Sequence, residues 1–172
     1  MISTDNLVIL IDRREQRPLV FDGVETRPAT LKTADYSCIA DGVDLQDVVA
    51  IERKSVSDLL GCVGQGRDRF ERELERLEKI RFRALVVEGT LGAVIRATGE
   101  TRLTVNAVVG SMLAWIFKYH VPVIFADDRA LAARAVVTLL RHAARYELAA
   151  RTGCGIAGQS ESEVTTEEGN GI

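Results

Sequence analysis

The chain has 172 residues, of which 47% are hydrophobic and 27% charged. That length suits one domain, large enough to bury roughly two-thirds of its unfolded surface without staples. A disordered chain, a collagen-like chain and a disulfide scaffold are excluded. The net charge of −3 is unevenly spread: residues 155–172 hold four Glu and no Lys or Arg, and the rest carries a net +1. The body is neither a basic binder nor an acid-rich one, so a polyanion must be met by local patches.

Leu7 to Ile11 is an unbroken apolar, β-branched run and reads as a buried strand. Residues 22–47 are polar and turn-rich, with Asp41-Gly42 as a hairpin signal and Leu31 in a possible short strand before it. Val48 to Ile51 reads as the next strand and runs directly into Glu52-Arg53-Lys54.

From Ser57 the period becomes helical, with Leu59, Leu60 and Val63 on one face. Gly64-Gln65-Gly66 interrupts it as a hinge. A second helix carries Phe70, Leu74 and Leu77 on one side and the opposite-charge pairs Arg67/Glu71, Arg69/Glu73 and Glu75/Lys79 on the other.

Leu85 to Val87 is a third strand, closed by Glu88-Gly89. Thr104 to Tyr119 reads as a helix that is apolar nearly all round, which suits burial on every side. The uncharged stretch Leu103 to Phe117, 15 residues long, is short of the ~20 that span a membrane. Val121 to Phe125 is a fourth strand. Asp127 or Asp128 caps a last helix through about Leu148. The tail after Gly153 is acidic and is expected to be disordered. Strands alternating with helices give an α/β sandwich.

Three cysteines, Cys38, Cys62 and Cys154, form no CxxC pair and read as plain thiols in a reducing compartment, not a zinc site. His120 and His142 are isolated, and Met112, Trp115 and Phe117 read as core.

The residues that carry chemistry are at the end of the second strand. Side chains alternate there, so Glu52 and Lys54 share one face and Arg53 takes the other. Asp35 lies in the preceding turn region and Asp12 at the end of the first strand. Three carboxylates from strand ends can converge at one rim of a sheet, and such hard oxygen ligands suit Mg²⁺ or Mn²⁺. Taken alone, a Glu-x-Lys triplet is far more often a surface ion pair on an edge strand.

The wider arrangement is more specific. Asp12, Arg14 and Glu15 follow the first strand; Ala34-Asp35 precedes Glu52-Arg53-Lys54; Asp58 comes four residues later; and Gly66-Arg67 opens the next helix. This order resembles the nuclease domain of the XPF family, a branch of the PD-(D/E)xK nucleases, over about residues 7–147. The resemblance implies a central mixed sheet flanked by helices, the restriction-endonuclease-like fold, for a nuclease domain at 1–150 followed by the acidic tail at 151–172.

It also implies metal-dependent hydrolysis of DNA phosphodiesters at flaps, forks or other branched structures, in repair or recombination. Asp35 and Glu52 would hold Mg²⁺ or Mn²⁺ with the backbone carbonyl of Arg53, and Asp12 would assist directly or through water. Lys54 would position the attacking water or steady the developing charge. Arg14, Arg53 and Arg67 would contact phosphates. Glu15 and Asp58 would hold those arginines, although Asp58 equally suits a helix N-terminus. Two departures stand out. Ala34 replaces the family's glycine, so the local turn is expected to differ. Glu71 stands where relatives carry Gln, either as a further metal ligand or as a partner for Arg67.

By the same resemblance the late helices would form a homodimer or heterodimer interface. The tandem helix-hairpin-helix domain that usually grips DNA has no room in this chain, so a dimer or a second protein would supply affinity. No membrane is involved. The expected location is cytoplasmic, nucleoid-associated if bacterial, and not secreted, since no signal peptide opens the chain. The alternative is a non-catalytic, nuclease-like scaffold subunit that binds a partner protein or DNA.

Overall fold

The computed structural model describes residues 6–153; the acidic tail and Cys154 lie outside them. In chain order the elements are β1 (Leu7–Asp12), β2 (Glu25–Ala29), β3 (Tyr36–Ala40), β4 (Val43–Asp44), β5 (Val49–Ser55), α1 (Val56–Val63), α2 (Arg67–Leu77), β6 (Phe82–Glu88), α3 (Leu91–Ala97), α4 (Val105–Tyr119), β7 (Val123–Ala126) and α5 (Arg129–Arg151). The strands form one seven-stranded sheet in the order β2-β1-β3-β5-β6-β7, with β4 paired to β3. It is mixed: β1 runs parallel to β2 and antiparallel to β3, β3 is antiparallel to β5, and β5, β6 and β7 are parallel.

Alternation along the central strands builds two cores. Val49 and Ile51 of β5, with Ala84 and Val86 of β6, pack against Val136, Leu140 and Ala144 of α5. Ala50, Leu85 and Val87 face the other way, onto Leu59, Phe70, Leu74 and Trp115 of α1, α2 and α4. Phe70 meets Trp115 edge to face at 4.9 Å between centroids. The same alternation carries on beyond the apolar part of β5. Glu52 and Lys54 therefore emerge on the α2 side and Arg53 on the α5 side.

Four helices start on side-chain caps. Ser55, Thr90, Thr104 and Asp128 accept from the backbone N–H three residues on, opening α1, α3, α4 and α5, which satisfies donors that a helix start leaves orphaned. Gly66 precedes α2. A methyl group there would stand 3.0 Å from the Gly61 carbonyl oxygen, so a larger residue would press on the hinge between α1 and α2.

The sheet exceeds the sequence expectation in one region. Residues 22–47 hold β2, β3 and β4, and Leu31, expected in a strand, lies in the loop between β2 and β3. β2 (ETRPA) is an exposed edge with an internal proline, which only an edge strand tolerates. β3 (YSCIA) is buried along most of its length and carries small residues, so neither shows alternation. The Asp41-Gly42 turn does join β3 to β4. α3 was not foreseen. α4 is buried on one stripe only, through Val108, Met112, Trp115 and Tyr119; Leu113 and Phe117 stand 50% and 78% exposed. Cys38 and Cys62 are free, buried thiols.

Candidate active site

Two backbone hydrogen bonds and one to a side chain stitch the turn before β3 to its neighbours. Asp12 N–H donates to the Asp35 carbonyl at 2.8 Å and Asp35 N–H to the Ile51 carbonyl at 3.1 Å. Arg53 N–H donates to Asp35 Oδ2 at 2.8 Å. The Asp35 carboxylate is thus fixed beside the Glu-Arg-Lys triplet. Ala34, just before it, adopts φ +64°. This is the left-handed conformation that glycine takes freely and that a Cβ strains.

Glu52 is 7% exposed and accepts from the Lys54 ammonium through Oε1. Lys54 Nζ also lies 3.7 Å from Glu73 Oε2 and 5.2 Å from the centre of the Phe70 ring. Burial first, and then the Glu52 charge, push the Asp35 carboxyl up to about 8. Burial likewise raises Glu52, against the pull of Lys54. Burial opposes the charge on Lys54, but the Glu52 carboxylate outweighs it and holds the lysine above its usual range. Lys54 is therefore an ammonium here. The Asp35 and Glu52 carboxylates line one hollow with Lys54, and hard oxygen donors of this kind suit a dication.

Asp12 is placed differently from the metal ligand expected. Its Oδ1 accepts from Arg14 N–H at 2.8 Å and Arg14 Nε at 2.7 Å. Its Oδ2 accepts from Arg14 Nη2 at 3.0 Å and Leu31 N–H at 2.8 Å. Burial works to raise its pKa, but these bonds prevail and lower it. Its oxygens are occupied in shaping the loop. Among the described residues no three acidic, cysteine or histidine side chains are grouped to hold an ion as they stand.

Arg53 also differs from the phosphate contact expected. Its buried guanidinium meets Glu15 at 3.3 Å and Glu88 at 2.7 Å, because strand alternation turns it to the α5 side. Glu88 in turn binds Arg129 at 3.2 Å, and Arg129 Nη2 donates to the Arg17 carbonyl at 2.8 Å. Glu15 thus holds an arginine as expected. Asp58 does not: it joins the Ser55 cap, accepting from Ser55 Oγ at 2.7 Å while its N–H donates back to that hydroxyl at 3.1 Å.

Arg67 faces α4, not the cleft. It pairs with Glu71 at 2.9 Å and Ser111 Oγ at 3.2 Å. Glu71 also accepts from Lys118 at 3.1 Å and Tyr119 at 2.9 Å; the Tyr119 and Lys118 bonds pull its carboxyl down to about 2. Of its two readings, the partner for Arg67 is the one observed. The other two pairs expected on α2 are not formed.

A cleft of about 690 Å³ runs past Arg14, Asp35, Lys54, Gln65 and Arg69. It adjoins a hollow of about 220 Å³ walled by Asp12, Asp35, Glu52, Lys54, Glu73 and Arg76. Arg69, Glu73 and Arg76 were missed as site residues. Their spacing of four and three on α2 was the available signal, because it places them on one helix face; the expected ion pairs hid it.

A mixed sheet that brings an aspartate from one strand end beside a Glu-x-Lys triplet on the next defines a nuclease domain of the PD-(D/E)xK class. The ERCC4 domain family matches residues 11–139, and the chain belongs to this XPF-type nuclease family. The 3′-flap repair endonuclease Xpf of Saccharolobus solfataricus is 35% identical over 92 residues, 53% of this chain and 36% of that protein. The chain thus matches about a third of that relative's length. XPF from Aeropyrum pernix shares the fold with a TM-score of 0.64 at 22% identity, over 85% of this chain and 69% of that one. The same protein in complex with DNA gives 0.61 at 22% identity, over 86% and 76%. No helix among the described residues is long and apolar enough to cross a membrane.

Proposed function

We propose that this chain is a Mg²⁺- or Mn²⁺-dependent DNA endonuclease that hydrolyses phosphodiesters at flaps or other branched structures, in repair or recombination. The observation that carries this reading is the Asp35 carboxylate, anchored to Arg53 N–H beside the Glu52–Lys54 pair. A bound dication polarises the phosphate and lowers the pKa of a water. Asp35 and Glu52 hold it, and the Arg53 carbonyl helps, since both backbone groups of a strand residue face the same side. Asp12 acts one step removed, by fixing Arg14 and the Leu31 loop.

Lys54, kept charged, orients the attacking water and steadies negative charge as it grows on the phosphate. Arg14, Arg69 and Arg76 rim the cleft from two sides and seat the neighbouring phosphates, a contact type that positions DNA without reading its sequence. Arg53 and Arg67, held by carboxylates, support the scaffold.

Cleavage of labelled flap, fork and plain duplex DNA with Mg²⁺, Mn²⁺ or EDTA tests the reading. Metal-dependent cutting of branched DNA supports it, and inert, well-folded protein contradicts it. The exposed side of α4 with Leu113 and Phe117 is where a second copy or a related subunit would dock, adding the DNA contacts that a near-neutral monomer lacks. Phe117→Glu would then convert a dimer to a monomer in light scattering; an unchanged mass rejects that face.

A further inference from the structure

Lys54 lies between two carboxylates. Its ammonium is hydrogen-bonded to Glu52 and is 3.7 Å from Glu73 Oε2, with the Phe70 ring 5.2 Å away. Phe70 and Glu73 are three apart on α2, so ring and carboxylate line one track for the lysine head. Arg69, four residues before Glu73, is spaced to pair with it, yet no ion pair forms between them within the described residues. Glu73 stands 31% exposed at its side chain and turns toward Lys54 instead.

Glu52 has two claimants. Lys54 takes Oε1, and a dication on the other oxygen would stand close to that ammonium, where like charges repel strongly because water is scarce. A mostly buried ammonium does not stay without a counter-ion, which is costly. Its four-carbon stem allows it to move.

We propose that Glu73 is the second resting place of the Lys54 ammonium: when Glu52 turns to a divalent cation, Lys54 shifts along the Phe70 ring onto Glu73. This rests on Asp35 and Glu52 being the metal ligands. Glu73 is then a positioning residue. It sets where the lysine head stands during hydrolysis, and it makes metal uptake depend on a residue that need not touch the metal.

Mn²⁺ binding to the DNA-free protein, read from the free-ion electron paramagnetic resonance signal, tests this without any cleavage. Glu73→Gln is expected to weaken binding roughly fivefold, within the range of coupling between contacting groups. Glu73→Asp, which restores the charge, is expected to recover part of the loss. Lys54→Met removes the competitor and is expected to tighten binding; in that background Glu73→Gln is expected to change nothing. A Glu73→Gln protein that binds Mn²⁺ like wild type overturns the proposal. So does an equal loss in both backgrounds, which would make Glu73 a metal ligand or a plain source of negative charge. Wild-type protein that takes up no Mn²⁺ overturns this proposal and the metal reading together, whereas normal uptake with no Glu73 effect overturns this one alone.

Discussion

Arg53 N–H donates to Asp35 Oδ2 at 2.8 Å, so the middle residue of the Glu-Arg-Lys triplet holds the site together through its backbone while its side chain does separate work on the opposite face. That guanidinium bridges Glu15 and Glu88, with side-chain exposures of 8% for both Arg53 and Glu15. Arg53→Met leaves the two carboxylates without their shared partner. Losing one member of a buried pair costs about 3 kcal/mol or more. Urea denaturation is expected to show that loss. A stable Arg53→Met protein with weakened DNA binding would instead return Arg53 to the phosphate-contact role.

The stability of metal-free protein should depend on pH through Asp35. Its carboxyl is raised to about 8 by burial and by Glu52, above its unfolded value, so the folded state binds its proton more tightly. The stabilisation is complete below the ordinary carboxylate range and is lost as pH rises toward 8. Thermal unfolding in EDTA should give a melting temperature that falls between about pH 5 and 8, and Asp35→Asn should flatten that fall. A melting temperature rising over this window would contradict the geometry.

Glu71→Gln separates a structural carboxylate from a metal-binding one. Glu71 pairs with Arg67 along α2 and joins α2 to α4 through Lys118 and Tyr119. The variant should lose about 1 kcal/mol of stability, the usual worth of such bonds at a partly exposed site, and should bind Mn²⁺ as wild type does. Weakened Mn²⁺ binding would place Glu71 at the metal.

Ala34→Gly should stabilise the protein. The left-handed φ of +64° costs an alanine about 1–2 kcal/mol, while glycine loses about 0.4–1 kcal/mol through a freer unfolded chain. The expected net gain is up to about 1.6 kcal/mol, read as a raised denaturation midpoint. A destabilised variant would mean that the Ala34 methyl contributes more by packing than its backbone costs.

The sequence carried most of the site because strand alternation is a strict rule: once β5 was read, Glu52 and Lys54 had to share a face. The motif order supplied Asp35. What alternation could not supply was the company each group keeps. Asp12 and Arg14 are two residues apart and close on each other, which occupies the Asp12 oxygens although Asp12 walls the same hollow as Asp35 and Glu52. The i, i+4 spacing on α2 allowed both Arg67/Glu71 and Arg69/Glu73; only the first forms, because Lys54 reaches Glu73 from a strand distant in sequence. The fold was legible where strands were apolar and β-branched, as in β1, β5 and β6. It was not legible at β2, whose Pro28 and exposed side chains are tolerable only at a sheet edge, nor at β3, where burial between β1 and β5 replaces any polar alternation.

In the proposed function Asp35, Glu52 and Lys54 act together to cut DNA. The most direct test is cleavage of a labelled flap substrate by wild type and Glu52→Gln in Mg²⁺ or Mn²⁺, both proteins first shown to be folded. The expected result is metal-dependent cutting by wild type and a loss on the order of 10²-fold or more in the variant. Equal cutting by the two, or none by wild type with either metal, would contradict it.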